Sequence, residues 1–148
     1  MPRTLPAVRF NRKAFSEIRK TLRSYPTLKS TRKALQARLE SIPLLPSRSF
    51  GDRVQGGPIS SPVEAAAEKR HEIEARLDKV TFKLDDINDF SDVLRETDEE
   101  LFQVFLLKYE QGWSDEDIAA ELGYSRATIE RRGKAIIERA ALFWGLFD

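Results

Sequence analysis

Apolar positions from Val63 to Ile87 fall at alternating steps of three and four. They are Val63, Ala66, Ile73, Leu77, Val80, Leu84 and Ile87, with Arg70 as the one polar interruption. This is the heptad seam of a long helix. Ser61-Pro62-Val63-Glu64 marks its start: a capping serine, proline where no N–H is needed, and a glutamate placed to return the cap. The pattern predicts that the helix ends near Phe90, in a segment bounded at 62–95. Ile73, Leu77, Val80, Leu84 and Ile87 are the candidate oligomerisation residues. The seam can pair with its copy in a second subunit, or it can pack inside one chain.

Two shorter patterns precede it. Phe15, Ile18 and Leu22 predict a basic helix over 11–24, ended by Tyr25-Pro26 because proline disfavours a helical residue before it. Leu28, Ala34, Leu35 and Leu39 predict a second helix, capped by Thr27 and running to Ile42. Residues 1–42 then form a basic helical arm with a frayed start. Residues 43–61, rich in Pro, Gly and Ser, read as a linker.

The segment 96–148 carries the densest set of helix signals. Thr97-Asp98-Glu99-Glu100 reads as a capping box for a helix through Gln111, with Leu101, Val104, Phe105 and Tyr109 facing inward. Ser114 is an N-cap candidate for a short helix whose apolar face is Ile118, Ala119 and Leu122. Gly123 can take the positive φ that ends it. Ser125 then caps a longer helix opened by Arg126. This is helix-turn-helix spacing. Trp113 is expected to cover the apolar side of this helix pair. Along the last helix Ile129, Gly133, Ile136, Ala140 and Phe143 share one side. Ala127, Arg131 and Lys134 lie opposite, flanked by Thr128 and Glu130, with Arg126 and Arg132 on the margins. Such a face suits a major groove: guanidinium groups can fork onto guanine, and threonine can meet base edges. It equally describes an ordinary solvated helix face. The tail Leu142-Phe143-Trp144-Gly145-Leu146-Phe147 is apolar and expected to be docked.

Charge changes the picture of the arm. Residues 1–53 hold 13 Lys/Arg against 3 Asp/Glu, residues 54–112 hold 7 against 14, and the remainder 5 against 7. The basic arm can follow a phosphate backbone, or pair with the acidic middle of the same or a neighbouring chain. The 148 residues include no cysteine and one histidine, His71, within a charged helical run. Thiolate metal sites and disulfides are excluded, and a cytoplasmic location is expected. No signal peptide or membrane span is visible. No phosphate-binding glycine loop and no nucleophile–base pair is present, so neither enzymatic activity nor a cofactor is expected.

Leu106, Tyr109, Trp113-Ser114, Ile118-Ala119, Leu122-Gly123, Ser125, Thr128-Ile129, Arg132 and Ala135 carry a resemblance. Segment 97–142 resembles the region-4 reader of sigma-70-type factors. With Leu22, Tyr25 and Pro26, the loop and the long helix, the whole chain resembles the RinA/ArpU type of phage late-transcription regulators. That resemblance implies an all-α activator of late phage genes without enzymatic activity. By position, Ser125 caps the reader, and Arg126, Thr128, Glu130, Arg131 and Lys134 are implied base or phosphate contacts. The expected partners are double-stranded DNA and host RNA polymerase, and the seam of the long helix adds a second copy of the chain, a homo-oligomer in which a dimer is favoured. Two other readings stand beside it: a small terminase-like packaging protein, and a sigma-like adaptor that binds polymerase. Gly133 departs from the family, where many members carry a larger residue.

Overall fold

The computed structural model describes residues 9–43 and 62–147, and among these every regular element is helical. The order is α1 (Arg12–Arg23), α2 (Tyr25–Ser41), α3 (Pro62–Thr97), α4 (Glu99–Phe105), a π-helical turn (Leu106–Glu110), α5 (Asp115–Leu122) and α6 (Arg126–Phe143). The fold is all-α. The Ser61 cap, residues 1–8 of the tail expected over 1–10, and residues 44–61 of the linker expected over 43–61 lie outside the described residues.

The chain forms two compact units: one of residues 1–27 with 84–148, the other of residues 28–83. The boundaries therefore fall inside the arm and inside α3, rather than at 42 and 95. The reason is visible at α1. Its apolar side, with Ile18 and Leu22 fully buried, packs against α6 instead of staying with α2.

The core of the first unit gathers around Phe90 and Phe105. Their rings meet edge-on with centroids 5.9 Å apart, and Tyr25 and Tyr109 lie 6.0 and 5.7 Å from Phe105. Such edge and tilted pairs add to the burial of large aromatic area. The Tyr25 hydroxyl donates to the Asn88 side chain, so the residue expected only to break a helix also ties the α1 end to α3. Leu84, Ile87, Leu94, Val104, Ile118, Ile129 and Ile136 complete this core.

Several boundaries differ from expectation. α3 continues to Thr97, whose hydroxyl bonds the Val93 carbonyl at 2.7 Å, and Asp98 is the cap of α4, accepting from the Leu101 N–H at 3.2 Å. Thr97 and Asp98 are both capping types, and the one that leaves helical geometry is Asp98, at φ −154°. Similarly Thr27 lies inside α2, which opens at Tyr25 with proline in its first turn. The helix expected through Gln111 is not α-helical throughout. The Gln111 N–H reaches the Leu106 carbonyl at 2.9 Å, one residue beyond α-helical register, which widens the final turn.

The oligomerisation set is corrected in part. Leu84 and Ile87 are completely buried inside the chain, and Ile73 is 2% exposed, so these three offer no surface to a second copy. Leu77 and Val80 are half-buried. A heptad seam buries equally well against its own chain, and here three of its seven apolar positions do so fully. The tail meets the core through Trp144 and one side of Phe143, 5.6 and 5.9 Å from the Phe90 ring, whereas Leu142, Leu146 and Phe147 are exposed.

Candidate nucleic-acid interface

The two helices near the C-terminus are set by local backbone hydrogen bonds, and these match the sequence expectation at each cap. The Ser114 hydroxyl accepts from the Asp117 N–H at 3.2 Å and opens α5. Gly123 ends it at φ +76°, where its own N–H and that of Tyr124 both reach the Ala119 carbonyl. The Ser125 hydroxyl accepts from the Thr128 N–H at 3.2 Å and opens α6.

α6 is divided as its pattern predicts, with one exception. Ile129, Gly133, Ile136 and Ala140 are buried, together with Ile137 and Ala141, while Phe143 is 43% exposed. The opposite face presents Ala127, Glu130, Arg131 and Lys134 to solvent, with Thr128 half-buried. An open groove of about 360 Å³ lies along it, lined by Thr128, Arg131, Arg132 and Ala135.

The candidate contact residues are not equivalent. Arg126 donates to Glu130 and to Glu116, each at 3.1 Å, so two carboxylates hold it and Glu130 is occupied with it. Arg132 is held differently. Its side chain is only 18% exposed, bonds Glu100 at 3.2 Å, and lies over the Tyr124 ring with the guanidinium carbon 4.1 Å from the centroid. Arg131 bonds only the Thr128 hydroxyl, at 3.2 Å, which in turn lies 2.9 Å from the Ser125 hydroxyl. Among the described residues no carboxylate pairs with Arg131 or Lys134. These are the cations that a phosphate or a guanine edge would not have to win from a partner.

Sequence reading missed two supports. The first is the Tyr124–Arg132–Glu100 assembly. An aromatic residue beside a glycine turn was its only local sign, because Glu100 lies 32 positions away. The second is Lys108, whose ammonium bonds Asp115 at 3.0 Å and passes over Gly133. A Cβ built on Gly133 would stand 3.0 Å from that nitrogen, the far end of a flexible side chain.

The Lys108 ammonium also lies 5.8 Å from the centre of the buried Tyr109 ring. Burial pushes its phenol pKa up, the nearby charges of Arg23 and Arg19 pull it down, and Asp115 pushes it up again. The C-terminal half of α1 thus lies within electrostatic reach of the same phenol as the start of α5.

His71 is exposed on α3. No cluster able to hold a metal occurs among the described residues, and no described helix is long and apolar enough to cross a membrane. No family model, curated protein or solved structure matches this chain.

Proposed function

We propose that this chain is a sequence-specific DNA-binding transcriptional regulator, an activator of phage late genes, whose helix-turn-helix places α6 in the major groove. One observation carries the reading: Arg131 and Lys134 stand exposed on the outer face of α6, without a carboxylate partner among the described residues, beside an open groove floored by Thr128 and Ala135. Arg131 is the candidate for guanine, Thr128 for a base edge or methyl, and Lys134 for a phosphate. Arg132 then acts by holding the turn against α4, and Arg126 by holding α5 to the start of α6. The phage assignment rests on the resemblance of the chain to the RinA/ArpU type, and on segment 97–142 resembling a sigma region-4 reader.

A second copy, if present, meets the first through the part of α3 left uncovered. A hollow of about 430 Å³ supports that reading: Leu28, Val80 and Phe82 line it together with Asp78, Lys79 and Lys83, and Phe82 is 70% exposed. Two linked readers would bind repeated half-sites more tightly through effective concentration.

The experiment is selection from a random duplex library with the full chain, followed by transcription with host polymerase from a promoter carrying the enriched site. Enrichment of one motif and a rise in transcript support the proposal. Absence of any enriched motif, or a fall in transcript, contradicts it.

A further inference from the structure

The two helices of the basic arm divide between the compact units, and this separates two uses that sequence leaves open. α1 belongs with α6; from Leu28 onward α2 belongs to the other unit. α1 is also the more basic surface, carrying Arg12, Lys13, Arg19, Lys20 and Arg23 against the single acid Glu17.

These cations are ordered by the helix. At 100° per residue Arg12, Arg19 and Arg23 fall within about 40° of one another, one stripe roughly 16 Å long. Lys13 and Lys20 line one flank, and Glu17 lies well round the helix from the stripe. All five cations are exposed. Among the described residues none is paired with a carboxylate, although Asp85, Asp86, Asp89 and Asp92 of α3 belong to the same unit. On α6 only Arg131 and Lys134 are comparable, because Arg126, Arg132 and Arg139 have carboxylates within 3.6 Å. The apolar side of α1 is used against α6, and the exposed side consists of Arg12, Lys13, Ser16, Glu17, Arg19, Lys20 and Arg23.

We propose that α1 is a phosphate clamp whose Arg12–Arg19–Arg23 stripe seats on the backbone of the duplex that α6 reads. This rests on the DNA-binding reading above. The occupant is set by the chemistry of the face. The centre of a protein–protein contact is depleted of charge, whereas six of the seven residues on this face are charged. A duplex backbone carries about one negative charge per 3.4 Å of helix axis on each strand, and a row of guanidinium groups can follow it without apolar contact. α1 packs directly against α6, so the row lies on a helix held against the one that carries the groove-reading face. The clamp supplies affinity that does not depend on sequence; α6 supplies the choice of site.

The test uses the full chain with Arg12, Arg19 and Arg23 all replaced by Gln, and in parallel Arg12→Gln alone, in case the triple variant fails to fold. Affinity is measured across salt for a duplex carrying the selected site and for one of mixed sequence. The triple variant is expected to lower the log–log salt slope by about 2.7, and Arg12→Gln by about 0.9. Both duplexes should lose affinity by the same factor, so their ratio stays unchanged, and Arg→Lys at the same positions should restore the slope. Wild-type binding with a clear sequence preference, but an unchanged slope in the variants, overturns the clamp and leaves the DNA reader standing. A wild-type chain that binds neither duplex overturns both.

Discussion

The Arg132 guanidinium stacks on the Tyr124 ring, 4.1 Å from guanidinium carbon to ring centroid, while its Nη2 donates to Glu100. One residue of α6 thereby ties the glycine turn to α4. A cation over an aromatic face contributes about 0.5–2 kcal/mol, more when partly desolvated as here. Arg132→Ala should lower unfolding free energy by about 1–2 kcal/mol in denaturant titration, whereas Arg131→Ala should change it by less than about 0.5. Equal stability losses in the two variants would mean that the stack contributes nothing.

Gly133 offers a second contrast. Glycine inside a helix costs about 1 kcal/mol relative to alanine, and the only obstacle to a Cβ is the far end of Lys108. That ammonium can shift by a few tenths of an ångström and keep Asp115. Gly133→Ala should therefore be neutral to stabilising by up to about 1 kcal/mol in thermal or chemical unfolding. Gly133→Leu should displace Lys108 and destabilise. A clear loss in the alanine variant would show that Lys108 cannot give way.

The placement of caps was legible in the sequence, because Ser114, Gly123 and Ser125 satisfy backbone groups only a few residues away. The two faces of α6 were legible for the same reason, since helical period is a local property. Contacts that close over distance were not. Nothing near Arg132 announces Glu100, and nothing near Gly133 announces Lys108. Arg126 looked like a free marginal cation, yet Glu116 reaches it across the turn from ten positions back. The seam of α3 was visible, but its destination was not, since a heptad pattern is the same whether the covering surface is a second copy or the chain itself.

That destination has a measurable consequence. Leu84 is fully buried within the chain. Leu84→Ala should cost about 2–5 kcal/mol, through lost burial and the cavity left behind. Because the cover is intramolecular, the destabilisation should be the same at every protein concentration. A midpoint difference between Leu84→Ala and wild type that shrinks or grows with concentration would place Leu84 between subunits instead.

Tyr109 gives the chain a signature at high pH. Its folded pKa is raised, chiefly by burial, above the ordinary value of 10.0. The folded state therefore retains a proton that the unfolded state loses. The stabilisation is fully present below about pH 10 and is lost as pH rises through the folded pKa. Tyr109 should ionise late in an ultraviolet titration of the native protein, and Tyr109→Phe should remove that late phase. A late phase that survives the substitution would contradict this account of Tyr109.

A groove-reading role for α6 stands or falls with Arg131. Its affinity contribution is read by comparing Arg131→Ala with wild type on the selected duplex and on a scrambled one. The variant should stay folded and lose about 1–3 kcal/mol of discrimination between the two, through its affinity for the selected site. An equal loss on both duplexes would make Arg131 a backbone contact. Unchanged affinity for both would contradict a DNA-reading face on α6.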